Sequence, residues 1–160
     1  MRVLISGYSG LVGTEVARQL REAGHEAIKL DRNEQDLPGL IETIDAVVNL
    51  AGATTGRIPW TKQYKREIVS SRLETTKKIV AAINGAKRKP QVLVSGSASG
   101  FYGDCGDLVL DESSPKGTGF LSDLAAEWES EALKANTRVV LARTTMVMSR
   151  QKGALGRLLP

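Results

Sequence analysis

Cysteine and histidine are almost missing: 160 residues hold one of each, Cys105 and His25. One thiol cannot close an internal disulfide, and one thiol with one imidazole falls short of a metal-ligand set, so no metal site is expected. The unpaired cysteine points to a reducing compartment, with a cytoplasmic setting as the default. Long apolar runs are missing too. Ser6 and a glycine loop interrupt the first apolar stretch, which removes a secretory leader, and no run approaches the ~20 residues of a membrane helix. Aromatic residues make up only 4% of the chain, and its net charge is +4. The cations are interleaved with acids. Their densest group, Lys87 to Lys89, sits beside Pro90 in a helix-to-strand connection with no aromatic platform nearby, which reads as a solvated loop. Neither nucleic acid nor a membrane is expected as a partner; a small-molecule substrate of unknown identity is, and a homo-oligomer is left open.

What the chain does contain is ordinary for one globular domain: 41% hydrophobic and 25% charged residues. Its apolar periods alternate. Val3 to Ile5 reads as a short buried strand, Leu11 to Ala23 as an amphipathic helix ending at Gly24, and Ala27 to Leu30 as a second strand. After a polar stretch containing Pro38 and Gly39, a short helix around Leu40 to Thr43 leads to a strand from Ala46 to Leu50. A long helical pattern from Trp60 to Asn84 precedes the strand Val92 to Val94. A loop rich in Ser, Gly and Asp, a helix from Leu121 to Ala135 and a strand from Arg138 to Ala142 follow. Strands joined by helical crossovers predict an α/β fold, a Rossmann-like doubly wound parallel sheet with helices on both faces. The run from Ser149 to Gly156 and the end at Leu158-Leu159-Pro160 suggest a domain cut mid-fold, with apolar surface near Met146, Met148 and Leu155 exposed as a result.

The glycines of RVLISGYSGLVGTEVARQL lie between the first strand and its helix. Gly7, Gly10 and Gly13 permit a tight turn, approach of a pyrophosphate to backbone N–H groups, and close helix-on-sheet packing. Asp31 closes the second strand about twenty positions on, as a ribose ligand would. Asp31 and Arg32 pull in opposite directions: the carboxylate accepts from ribose hydroxyls and repels a 2′-phosphate, whereas the guanidinium pairs with one. Asn49-Leu50-Ala51-Gly52 and Ser95-Gly96-Ser97-Ala98-Ser99-Gly100 are further strand ends that should line the crevice, with Ser95 and Ser97 offering hydroxyls. The plainer alternative, for Ser99 more than for Ser97, is that these serines only satisfy backbone groups in a turn.

GYSGLVG, DAVVNLAG, SSRLETTKKIV, VLVSGSASGFYGDCGD, GFLSDLAAEWESEAL and RVVLARTTMVM occur in that order across nearly all of the chain. On these stretches it resembles the extended short-chain dehydrogenase/reductase superfamily. Within it, the chain is similar to the epimerase-like atypical branch of nucleoside-diphosphate-sugar epimerase and cell-division-inhibitor homologues. The resemblance implies NAD(P) as cofactor, with a lean to NADP because the branch places a basic residue at the Arg32 position. It also implies that residues 1–160 lack the C-terminal substrate lobe. The expected cofactor-binding set is Gly7, Ser9, Gly10, Leu11, Val12, Gly13, Asp31, Arg32, Leu50, Ala51, Gly52, Arg72 and Ser95, and Ser97 takes the place of the catalytic serine. Active relatives carry Tyr-x-x-x-Lys on the following helix, the tyrosine as acid or base and the lysine lowering its pKa. Here Leu121 and Ala125 hold those two positions, and Arg72 stands where active members have asparagine. Tyr102 is the nearest phenol, at a position that usually packs. Two functions stay open: an epimerase- or oxidoreductase-like enzyme, and a non-catalytic dinucleotide-binding regulator or interaction protein.

Overall fold

A computed structural model describes residues 1–149. Five strands, β1 (Arg2–Ser6), β2 (Glu26–Lys29), β3 (Ala46–Asn49), β4 (Val92–Ala98) and β5 (Arg138–Thr144), form one sheet in the order β2-β1-β3-β4-β5. Every adjacent pair is parallel. The helices are α1 (Leu11–Glu22), α2 (Leu37–Glu42), α3 (Lys62–Gly85) and α4 (Phe120–Ala132), and one 3₁₀ turn, Ser99–Tyr102, follows β4.

Parallel strands buried on both faces read as continuous apolar runs, and β1 shows why. Leu4 points into a cluster with Ile41, Ile44, Val47, Ile79, Ile83 and Leu93, on the side of α2, α3 and α4. Its neighbours Val3 and Ile5 point the other way, onto Ala17, Val16 and Leu20 of α1. Helices therefore cover both faces. Each fully buried isoleucine contributes roughly 2 kcal/mol, so the two clusters fix which residue of each strand faces which side.

Local signals place the helix ends. Gly24 adopts φ 76°, and the His25 N–H donates to Leu20 O (2.8 Å) while the Gly24 N–H donates to Arg21 O (3.0 Å), closing α1 in a Schellman motif. Asp36 caps α2 by accepting from the Gly39 N–H at 3.0 Å. Pro38 and Gly39, expected ahead of this helix, therefore lie in its first turn, where a proline's missing N–H costs nothing. Thr61 caps α3 through the Tyr64 N–H at 3.1 Å. Strand β4 runs on to Ala98, beyond the expected Val94, so Ser95 and Ser97 are strand residues and not loop residues. In the Lys87 to Lys89 connection, Arg88 pairs with Asp45 and Lys89 donates to the carbonyls of Asn84 and Ala86.

The strand order reverses between β1 and β3, and in such sheets the crevice beyond the carboxyl ends at that switch point receives ligands. Ser6 of β1 pairs with Asn49 of β3, and the Leu50 N–H donates to Ser6 O at 2.9 Å. Leu155 lies outside the described residues; Met146 and Met148 are exposed. Among the described residues, no helix is long and apolar enough to cross a membrane.

Candidate functional site

The turn from β1 into α1 forms one wall of the crevice, and its three glycines are not equivalent. Gly7 has φ 76°, and a Cβ there would sit 2.6 Å from Leu50 O and 2.9 Å from Ala51 N. The end of β3 thus demands a glycine at this position. A Cβ on buried Gly13 would overlap the Gly7 carbonyl, so that glycine lets the helix seat on the turn. Gly10 is exposed, and a Cβ on it would meet only Gly7 O, at 3.1 Å. The Gly10 N–H donates to Gly7 O at 3.0 Å, and the Thr14 hydroxyl donates to Gly10 O at 2.8 Å. Gly10 is the N-cap of α1, with no side-chain cap and no acid in the first turn. The first-turn N–H groups of a helix have no intrahelical acceptor, so those of Leu11, Val12 and Gly13 are left to an outside one. Ser9 is exposed beside them, Leu11 and Val12 are half-buried, and the Arg21 guanidinium holds the Tyr8 hydroxyl.

At the end of β2, Asp31 and Arg32 are both exposed. Asp31 is not alone: the Lys29 ammonium forms an ion pair with it. Lys29 stands two residues before Asp31, which puts both side chains on one face of an extended segment.

At the end of β3, Leu50 and Ala51 are half-buried and Gly52 is exposed. The Arg72 guanidinium occupies the space beside Gly52, where a Cβ would stand 2.8 Å from its Cζ. It donates to Ala53 O (3.1 Å) and Ile68 O (3.0 Å) and lies 5.3 Å from the centre of the Trp128 ring. Burial pulls its pKa below the ordinary value. Beneath it the Asn49 amide and the Trp128 indole N–H both donate to the Thr76 hydroxyl at 2.9 Å, tying β3, α3 and α4 together. The sequence places Asn49 at a strand end but does not show this junction, because the partners of Thr76 lie 27 and 52 positions away.

The end of β4 is arranged differently from what the sequence suggests. Ser95 is fully buried, and its hydroxyl reaches only the Gly96 carbonyl, at 3.3 Å. Ser97 is 4% exposed and its hydroxyl donates to Glu129 Oε1 at 2.5 Å. Glu129 in turn receives the Arg143 guanidinium in a forked pair, Nε at 2.7 Å and a terminal nitrogen at 2.8 Å. Arg143 also donates to the Tyr102 hydroxyl (2.9 Å) and lies 3.6 Å from the centre of the Phe101 ring. Burial alone would raise the Glu129 pKa, but the hydrogen bonds from Arg143 and Ser97 and the Arg143 charge outweigh it and hold the carboxyl below its ordinary value. Strand alternation turns both serines onto the α4 side, the side of Leu93, where Ser97 meets Glu129. The position matched to the tyrosine, Leu121, is exposed and lines a shallow, open depression with Gly100, Gly103 and Phe120. The position matched to the lysine, Ala125, is buried. Neither side chain can exchange a proton.

Residues 3–160 match the NAD dependent epimerase/dehydratase family. An epimerase family protein of Mycobacterium leprae is 35% identical over 175 residues, covering 99% of this chain and 56% of its own length. The crystal structure of human epimerase family protein SDR39U1 (isoform 2) with NADPH superimposes with a TM-score of 0.89 at 31% identity, covering 99% of this chain and 58% of that one. A nucleoside-diphosphate sugar epimerase from Corynebacterium glutamicum gives a TM-score of 0.84 at 32% identity, covering 99% of this chain and 36% of that one. The chain thus spans somewhat over half the length of its curated relatives, 56% in the M. leprae protein.

Proposed function

The chain belongs to the NAD-dependent epimerase/dehydratase family, and from that premise we propose that it holds NAD(P) against the β1–α1 turn and works as an epimerase- or oxidoreductase-like protein on a small molecule. One observation carries the cofactor half: the end of α1 is uncapped, free of carboxylates, and fronted by exposed Gly10. A diphosphate supplies the acceptors that those N–H groups lack, and the positive end of the helix favours its charge. Gly7, Ser9, Gly10, Leu11, Val12 and Gly13 would hold the diphosphate. Asp31 and Arg32 would meet the adenosine ribose, and Leu50, Ala51 and Gly52 would flank the rest, with Arg72 beside them. Bound there, the nicotinamide would supply hydride chemistry. The lean is to NADP, as Arg32 suggests, and the human relative was crystallised with NADPH. A cytoplasmic setting, resting on unpaired Cys105, is part of the same reading.

The catalytic half is less well supplied. Ser97 can serve as the reacting hydroxyl only if it leaves Glu129, and Leu121 and Ala125 provide no acid or base. That observation favours a second reading, a non-catalytic dinucleotide-binding regulator or interaction protein. In that case partner affinity must change with cofactor occupancy.

The deciding experiment is calorimetric titration of the full chain with NADPH and with NADH. Binding of at least one is expected, and Gly10→Ala should weaken it by about tenfold or more, since its methyl stands where the phosphates approach the main chain. No heat with either dinucleotide overturns the cofactor reading. Turnover over a panel of sugar nucleotides and carbonyl compounds separates the enzyme from the regulator.

A further inference from the structure

We propose that Lys29 sets the dinucleotide preference by neutralising Asp31, so that a strand ending in an acid nevertheless accepts the 2′-phosphate of NADPH. The inference rests on the cofactor reading above and names a residue that decides its specificity.

An unpaired carboxylate at the end of β2 grips both ribose hydroxyls and repels a phosphate esterified to one of them. Here that carboxylate is already occupied, since the Lys29 ammonium is paired with Asp31. The pair is well placed to matter. Lys29 lies in register with Ile5, two residues before Gly7, and the Leu30 N–H donates to Ile5 O at 2.9 Å, so the strand end stays beside the turn. Ala27 packs in the cluster built on Val16, Ala17 and Leu20 of α1. Strand alternation carries Lys29 to that same side, the side on which the helix presents its open end.

Arg32 follows at once, exposed, and pairs with no carboxylate among the described residues. The three charges at the strand end therefore leave one positive charge over, which suits a phosphate dianion. Without Lys29 they cancel, Asp31 is released to the ribose hydroxyls, and the balance moves towards NADH. Both partners are more than half exposed, with side-chain exposures of 56% and 65%, so the effect is modest and screened by salt.

The test is calorimetric titration of the full chain with NADPH and NADH, comparing wild type, Lys29→Met, and Lys29→Met combined with Asp31→Asn. Far-UV circular dichroism confirms folding, which exposed positions should tolerate. Lys29→Met should lower the ratio of NADPH to NADH affinity by about fivefold at low salt, and less in high salt. The double variant has the same net charge at the strand end as wild type and should recover NADPH affinity to within about twofold. An unchanged ratio in Lys29→Met overturns the proposal. So does a double variant as weak as the single, which would mean that Lys29 meets the phosphate directly. A wild-type chain that binds neither dinucleotide overturns the cofactor reading itself, which separates the two failures.

Discussion

The two strand-end connections that should make this a working site treat their polar groups in opposite ways. After β1, the chain leaves N–H donors at the head of α1 without acceptors and keeps side chains away from them. After β4, every polar group of note is satisfied from within: Ser97 by Glu129, Glu129 by Arg143, and Tyr102 by Arg143. Open donors ask for a ligand, whereas closed networks hold a fold together. The β1–α1 turn is thus left open to an outside acceptor, and the end of β4 is built as a clasp between β4, α4 and β5.

The largest effect expected on either side is that of Gly7→Ala. The new Cβ meets backbone at Leu50 and Ala51, which cannot swing aside, and φ 76° strains any L-residue. Strain and overpacking together should cost about 4 kcal/mol, lowering Tm by roughly 10 °C in thermal denaturation followed by circular dichroism. Gly10→Ala, by contrast, should leave Tm nearly unchanged while weakening dinucleotide. If both substitutions melt the chain equally, the division of this turn into a structural and a ligand-facing glycine is wrong.

Next in size is Glu129→Ala in the clasp. It leaves the half-buried Arg143 guanidinium against Phe101 with its forked partner gone, at a cost of about 3 kcal/mol. Dinucleotide affinity should hold, because nothing at the head of α1 changes. The pH dependence follows from the sign of the shift. The folded Glu129 carboxyl titrates below its ordinary value of 4.5, so its contribution is fully present above that value and is lost as pH falls through the lower, folded one. Urea denaturation against pH should therefore show wild type losing stability below about pH 4.5 and Glu129→Gln losing less. Parallel profiles would remove the carboxylate from the clasp.

How much of this was legible beforehand differs between the two ends for a physical reason. The β1–α1 turn is local: Gly7, Gly10 and Gly13 sit within one turn, and strand, turn and helix follow in sequence, so spacing alone conveys the geometry. The alternation of strands and helices was legible for the same reason, and five parallel strands with helices on both faces match it. The clasp is nonlocal, since Ser97 finds its partner 32 positions away and Glu129 finds Arg143 another 14 on. Reading Ser95 and Ser97 as loop residues hid the strand alternation that turns them onto α4. Lys29 was missed for a different reason. An exposed lysine in a strand reads as solubility until the carboxylate two positions on is seen to hold it.

Ser97→Ala is the smallest substitution and the one that bears most directly on the comparison. Its hydroxyl donates one charge-assisted hydrogen bond to Glu129, and losing it should cost about 1–2 kcal/mol. Arg143 still holds both carboxylate oxygens, so the loss stays below that of Glu129→Ala, and the double variant should be no worse than Glu129→Ala alone, because both remove the same bond. A structural Ser97 gives that non-additive cycle in denaturant titrations and leaves any turnover altered no more than Glu129→Ala alters it. A reacting Ser97 gives the reverse: turnover abolished in Ser97→Ala and kept in Glu129→Ala, where the hydroxyl is released from its acceptor and freed for substrate. The second outcome would make the clasp a device that withholds the serine, and would move the end of β4 back to the side of the open, ligand-seeking turn.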